Sequence, residues 1–517
     1  MAKIENEHAV VKVEKEIEPL LNVREKACRS KVDLGGFHIK FQIKNILCTM
    51  VLAMGFFLVA AQLLPLIGYD AKFWCSAETG ARLESLEDAQ PHHQNLLAEA
   101  SLHEKLDTSS IDLSHGEVRG FKPHGLATHL YIEMSAYRGG PRVFSIVGLT
   151  SKSIETHHKP PYACEWVSSS SGQVVKGRAR KLKPDWNYGK LYTVVVNTCS
   201  FAEDVGVDRE GGELILYASY GDQYRQPERI VVLTESKGEY NASIFDPQNF
   251  PYDYVYCGSS VYGDISPQRM REWMAYHAKF FGEKSHFILH DSGGFHDDVR
   301  KVLEPWIKKG RVTLQNIRQQ EVYDGYYHNQ FLVVNDCLFR SRFMANWTFF
   351  FDIDEYMYVD RSTNLSAVLN RNPNATQIII QQVPIATGMC VAAENATLAA
   401  GHERKWGFEK LIYQKPFIRG AHHDRKYALQ ARHAAATGIH MSINMRKGKH
   451  TSPRGIRYYH YHGTINKRDD VCSIYVDPRN QTALRSHGVR LDKTMANMAK
   501  DVKSYERKII GKLPFIL

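Results

Sequence analysis

The sequence predicts an α/β catalytic domain on a mostly parallel sheet, preceded by an all-β sandwich and a single N-terminal transmembrane helix. Three observations point to that order: a charge-free apolar run from Asn45 to Tyr69, short strand patterns broken by turn residues up to about residue 240, and alternating strand and helix patterns beyond it. The chain therefore divides into a polar tail (1–44), a span (45–69), a stem (70–115), a β module (116–240) and the α/β domain (241–517). At 517 residues and 43% hydrophobic content it can bury cores of several domains, which confines disorder to local stretches.

The segment Ile46 to Ile67 is long enough to cross about 30 Å of hydrocarbon. A cleaved signal peptide would start nearer the N-terminus and carry a shorter apolar core with a small-residue cleavage site. Arg24, Lys26, Arg29, Lys31, Lys40 and Lys44 crowd the upstream flank, so the tail is expected to stay cytosolic and everything after Tyr69 to be lumenal. Glycosylation sequons at Asn241, Asn346, Asn364, Asn374, Asn395 and Asn480 all lie beyond the span, which agrees with that topology. The stem, rich in Glu, His, Gln and Ser, reads as a spacer between bilayer and catalytic head.

Beyond the span lie Cys75, Cys164, Cys199, Cys257, Cys337, Cys390 and Cys472. An oxidising lumen favours disulfides, and an odd count leaves a thiol free or paired between chains. Cys75 is the candidate for a bond to a second copy, hence for a homodimer, and Cys164 with Cys199 is the expected internal bridge; sequence leaves connectivity open. The net charge of +10 is spread thinly, and no concentrated basic helix accompanies it, so no nucleic-acid partner is expected. An acidic polymer is the sharper reading of that excess, and a solubilising surface the plainer one.

In the β module, strands are expected at Leu130 to Tyr137, Val143 to Leu149, Leu191 to Asn197, Glu213 to Tyr220 and Ile230 to Thr234. Trp166, Trp186, Tyr188 and Tyr192 are candidates for a sugar-stacking platform or for core. In the α/β domain, Ser266 and Pro267 open a helix whose Met270, Trp273, Met274, His277, Ala278 and Phe281 keep helical spacing until Gly282. A strand at Phe287 to Leu289 follows, then a helix from Asp297, a strand at Val312 to Leu314 and a helical stretch from Gln330 to Phe343. The run Trp347 to Phe351 suits a strand buried on both faces.

That run ends in Asp352-Ile353-Asp354-Glu355, and the carboxyl end of a strand in an open α/β sheet is where ligands sit. On a continuing strand Asp352 and Asp354 point the same way, so one meets a metal and the other a water or ribose. Hard oxygen donors with substrate phosphates suit Mn2+ or Mg2+ better than zinc, and such an ion would neutralise a departing nucleoside diphosphate. The plain alternative is a solvated acidic turn.

Cys257-Gly258-Ser259-Ser260, Asn335-Asp336-Cys337-Leu338, Phe351 to Tyr356, Lys410 to Pro416 and Tyr459-His460-Tyr461-His462 together resemble the ordered motifs of glycosyltransferase family 92 over about residues 250 to 480. Within that family the chain closely resembles the plant β-1,4-galactan synthases, a resemblance that also takes in the anchor and the β module. The resemblance implies a GT-A fold, a UDP-sugar donor, a divalent metal and inversion at the anomeric carbon. For the plant group it implies UDP-α-galactose as donor, the β-1,4-galactan side chains of pectin as acceptor, and a type II Golgi membrane protein. Carried over, Asp352 faces the ribose or a metal-bound water, Asp354 binds the metal, Glu355 supports the site, and Cys257 to Ser260 lie beside the uracil.

His460 or His462 is expected to complete the metal sphere, His460 matching the family's His-Tyr step and His462 replacing its usual basic residue. Inversion needs a base for the acceptor hydroxyl, with Glu409, Glu403 and Asp424 as candidates, while Arg404, Lys405 and Lys410 are candidates to hold diphosphate or an acidic glycan. The same fold with another donor or linkage, a non-catalytic glycan-binding scaffold and an aspartyl phosphotransferase are the rival readings. The last normally carries its Asp-x-Asp on the first strand, unlike this chain.

Overall fold

The computed structural model describes residues 117–513, apart from 126–128, 153–159, 187, 190, 222–224, 324–325, 393–403 and 417–424. The span at 45–69, the stem, Cys75, Asn395 and the base candidates Glu403 and Asp424 lie outside the described residues.

The first described strand, β1 (Glu117–Val118), does not join the β module within which its position falls; it adds to the sheet of the α/β domain. The module is made of β2 (Lys122–His124), β3 (Tyr131–Gly140), β4 (Val143–Ser151), β5 (Tyr162–Ser168), β6 (Val174–Leu182), β7 (Tyr192–Ser200), β8 (Gly212–Ala218) and β9 (Glu228–Glu235). They run in the order β2-β3-β4-β7-β6-β5-β8-β9 with every neighbouring pair antiparallel. Tyr131, Phe144, Ile146 and Val195 from one half share a core with Trp166, Leu214, Leu216 and Ile230 from the other, so the two halves bury one set of side chains between them. The expected Cys164–Cys199 bridge closes this core. β5 and β6 escaped the sequence reading because β6 alternates exposed Lys176, Arg178 and Arg180 with half-buried Val175, Gly177 and Ala179, leaving no apolar run to read. Of the aromatic platform candidates, Trp166 and Tyr192 are buried in cores and cannot stack on sugar, whereas Trp186 is exposed.

The second sheet is built from β10 (Tyr252–Val261), β11 (Ser285–Asp291), β12 (Val312–Asn316), β13 (Ala345–Phe350), β14 (Glu355–Val359) and β15 (Ala375–Pro384), followed after β16 (Met389–Val391) and β17 (Tyr413–Gln414) by β18 (Arg425–Leu429), β19 (Lys449–Thr451) and β20 (Ile456–His460). Its order is β1-β12-β11-β10-β13-β18-β15-β20-β14, with β19 beside β15. From β1 to β13 all pairs are parallel, and beyond β13 antiparallel pairs enter, so the sheet is mixed where a mostly parallel one was expected. Helix α1 (Pro267–Phe281) starts where Ser266 accepts the Arg269 amide hydrogen and stops at Gly282, whose φ of 78° suits glycine alone. Helices α2 (Asp297–Lys308) and α3 (Gln330–Arg340) follow β11 and β12 as their spacing predicts.

Module and α/β domain share a core: Met134, Val147, Leu149 and Val194 pack with Leu332, Leu338 and Phe339 of α3. At that seam the fully buried Asp336 carboxylate accepts from Ser135 Oγ at 2.5 Å, Tyr137 Oη at 2.6 Å and Arg119 at 2.9 Å. A buried carboxylate stays ionised only with such donors, so the module's strands help to hold α3 in place.

Inside α1, His277 is buried, its Nδ1 donating to Trp273 O at 2.9 Å and its Nε2 accepting the Met357 amide hydrogen at 3.2 Å. Both nitrogens are committed to a neutral ring that fastens α1 to β14, and burial lowers its pKa to about 3. The stability it contributes is present above the ordinary value of 6.5 and lost as pH falls toward 3, because only the unfolded chain takes the proton easily. His277→Ala is expected to cost about 2–4 kcal/mol in urea unfolding and to flatten this acid limb; unchanged stability at pH 7 would show that Met357 N–H finds another partner.

Candidate functional site

The apolar strand β13 ends at Phe350, and Asp352 O accepts from Glu355 N at 3.2 Å, so the chain turns between the two aspartates instead of continuing as a strand. β14 then starts at Glu355 and pairs antiparallel with β20, Glu355 lying opposite His460. The turn separates the aspartates: Asp354 faces the end of β20, and Asp352 faces β10 and β18.

Asp354, His460 and His462 each bring one ligand atom within 4.8 Å of the others. Asp354 Oδ1 is 3.6 Å from His460 Nε2, too long for a hydrogen bond, while Asp354 Oδ2 accepts from Gly463 N at 2.9 Å. Gln382 Nε2 lies 2.6 Å from His460 Nδ1, where it donates to that nitrogen; turning the amide over puts its oxygen there instead, makes Nδ1 the donor and leaves His460 Nε2 as the ligand atom. One carboxylate and two imidazoles suit a first-row transition ion better than Mg2+. Burial opposes the charge on Asp354, but His460, the Gly463 amide and His462 outweigh it and hold the carboxyl at about 2. Burial likewise opposes charge on His460, yet Asp354 and Glu355 raise it to about 9.

Asp352 lies outside that cluster. Its Oδ2 accepts from Lys426 Nζ at 2.7 Å and its Oδ1 from Ser259 Oγ at 3.0 Å. Burial would raise its pKa, and the Lys426 ammonium brings it below the usual carboxylate range. Glu355 is buried beside them, 3.7 Å from Lys426, and accepts the Asp352 amide hydrogen; burial and Asp352 push its carboxyl up to about 7 against the pull of Lys426. Each Asp352 oxygen keeps a lone pair for a further donor such as a ribose hydroxyl.

Of the first-strand segment, only the serines meet this site. Ser259 links Asp352 to Gln330, which donates to it at 2.6 Å, and Ser260 donates to His328 O at 2.7 Å. Cys257 turns away, buried in a disulfide with Cys337, so its expected place beside a nucleotide does not hold for its side chain. Gly258 is small because a Cβ there would lie 2.5 Å from the Tyr256 hydroxyl, a packing reason and not one of ligand approach. Tyr327, His328 and Asn329 take φ of 51°, 52° and 53°, three left-handed residues in succession against this edge.

Glu409 does not join the site: its carboxylate caps a short helix by accepting Trp406 N–H at 2.7 Å and pairs with Lys503. Lys410 is buried against Asp470 at 2.7 Å and is not free to hold diphosphate, and Arg404 and Lys405 are exposed. Lys426, Gln382 and Gln330 are the residues the sequence reading missed. Only Lys426 carried a signal, the second of two cations ahead of the apolar Tyr427, Ala428 and Leu429.

The glycosyltransferase family 92 model matches residues 252–511. Galactan beta-1,4-galactosyltransferase GALS1 of Arabidopsis thaliana is 47% identical over 76% of this chain and 79% of its own length. GALS2 of the same plant, a protein of the same description, is 43% identical over 76% of each chain. Both alignments take in most of each relative's length, and the matched region holds the whole cluster from Ser259 to His462. The chain belongs to glycosyltransferase family 92 and is a glycosyltransferase.

Proposed function

We propose that the chain transfers galactose from UDP-α-galactose to β-1,4-galactan with inversion at the anomeric carbon, on a GT-A fold anchored in the Golgi membrane with its catalytic domain lumenal. The observation that carries the metal site is the convergence of Asp354, His460 and His462 beside a Lys426-bound Asp352. The names of the relatives support the choice of sugar and acceptor.

Asp354, His460 and His462 would hold the ion, Mn2+ in preference to Mg2+ for two imidazole donors. When bound, it supplies positive charge for the diphosphate that leaves. Asp352, aimed by Lys426 and Ser259, accepts from the ribose, so the nucleoside lies over β10 with the transferred sugar on the His460 side. Inversion is a single displacement in which a carboxylate removes the proton of the attacking acceptor hydroxyl. Glu403 and Asp424 remain the candidates for that base.

Incubating the purified full chain with a panel of UDP-sugars and short β-1,4-galacto-oligosaccharides is expected to give transfer from UDP-galactose alone. EDTA should abolish transfer and Mn2+ restore it more fully than Mg2+; EDTA-resistant transfer would remove the metal, and preference for another sugar the galactose. Because His460 holds its proton up to about 9 and must release it to bind an ion, Mn2+ affinity should rise by about tenfold per pH unit between pH 6 and 8. A flat profile in calorimetry would exclude His460 as a ligand.

A further inference from the structure

β6 presents Lys176, Arg178 and Arg180 on one exposed face, alternate residues of a strand and so about 7 Å apart. Arg446 follows Met445, which bridges to Ala434, and the Ala434 carbonyl accepts from Arg342. Arg342 also reaches Ser145, which lies across β7 Thr198 from Arg180, so Arg342 and Arg446 stand beside the Arg180 end of the β6 face. Arg342 is the buried end of this row, 3% exposed, donating to Ala434 O at 2.8 Å and to Ser145 Oγ at 3.4 Å. Its Nε is buried with no hydrogen-bond partner. Among the described residues none of these five cations has a carboxylate partner. Elsewhere in the same unit buried arginines are paired: Arg138 with Glu235, Arg271 with Glu506 and Arg300 with Asp291. Glu165 of β5 lies directly across from Lys176, but Arg178, Arg180, Arg446 and Arg342 gather like charges without a paired carboxylate, an arrangement that an incoming anion relieves.

We propose that the row from Lys176 on β6 through Arg180 and Arg446 to Arg342 is a binding site for a carboxylate-bearing polysaccharide, separate from the metal centre. The regular spacing of Lys176, Arg178 and Arg180 along β6 fits a chain with repeated charges better than a single phosphate. Guanidinium forks take carboxylates in paired hydrogen bonds, and the row runs along the seam between the β module and the α/β domain, where a glycan held by one reaches the other. No aromatic side chain interleaves these cations along the β6 face, as a single-stranded nucleic-acid groove would require.

The test compares binding of oligogalacturonate, neutral β-1,4-galacto-oligosaccharide, single-stranded RNA and anionic phospholipid vesicles to the full chain at low salt. Oligogalacturonate should bind, weaken as salt rises, and lose about tenfold in affinity in Arg180→Ala/Arg446→Ala, since each exposed cation contributes about half of that factor on a logarithmic scale. Both residues are exposed, so folding should be kept, as thermal unfolding would verify, and transfer to a short neutral acceptor should be unchanged. Equal oligogalacturonate affinity in wild type and variant, or binding of RNA or vesicles but not of oligogalacturonate, would overturn the proposal. Loss of transfer to the neutral acceptor in the variant would also overturn it, by showing that the row belongs to the catalytic site. If oligogalacturonate binds through these residues in a chain that transfers no galactose, this site stands and the reading of the metal centre falls.

Discussion

Asp354→Asn is expected to reduce sugar transfer by about a thousandfold or more while leaving the fold intact, since charge stabilisation by a bound metal is worth several kcal/mol. Asparagine keeps the shape of the side chain and can still accept from Gly463 N, so the turn between β13 and β14 should survive. What it loses is the only charged ligand of the three, and the partner that raises the His460 pKa. Mn2+ affinity, followed by calorimetry, should fall together with the rate of transfer from UDP-galactose. Asp352→Asn is the informative contrast: it loses the ion pair with Lys426 but no metal ligand, so it should raise donor KM and retain Mn2+ binding. An Asp354→Asn enzyme within tenfold of the wild-type rate, with Mn2+ binding gone, would separate the ion from the chemistry.

Much of this centre was legible because its signals are local. An apolar run ending in acids announces a strand edge, and His460 and His462, two apart after Tyr458 and Tyr459, announce a second strand end with ligands. What local pattern cannot convey is who stands between. β18 enters the sheet between β13 and β15, so Lys426 reaches Asp352 from 74 residues downstream, and only the strand order makes them neighbours. The turn at Asp352 to Glu355 was misread as strand for a related reason: β14 pairs with β20, whose arrival no residue near Asp354 foretells. Connectivity of Cys257 with Cys337 and of Cys390 with Cys472 was equally out of reach, since it depends on which strands and helices come to lie side by side. Glu409 shows the opposite failure, a carboxylate in a plausible interval whose helix cap and lysine partner give it a structural task.

Lys426→Met should be the most damaging single change outside the metal ligands. The lysine is 4% exposed at its side chain and faces Asp352 at 2.7 Å and Glu355 at 3.7 Å. Removing the ammonium leaves the buried Glu355 uncompensated, while Asp352, 37% exposed at its side chain, is partly screened by water, so the cost should fall below the roughly 3–5 kcal/mol of a fully buried pair. The loss should depend on pH in a definite sense. Glu355 already titrates near 7 with the lysine present, against an ordinary 4.5, and without it the native state holds the proton still more tightly. A carboxyl raised in the folded state stabilises the neutral form, so its contribution is kept at low pH and lost as pH rises through the folded value. Urea unfolding of Lys426→Met should therefore show a smaller deficit at pH 6 than at pH 8.5. Adding Glu355→Gln removes the second charge and keeps an acceptor for the Asp352 amide hydrogen, so the double variant should recover stability at the higher pH. Activity should not return with it, because Asp352 is still without the ammonium that aims it. A double variant that regained both would reduce Lys426 to a counter-charge, and a deficit equal at the two pH values would mean that Glu355 is not the group left in distress.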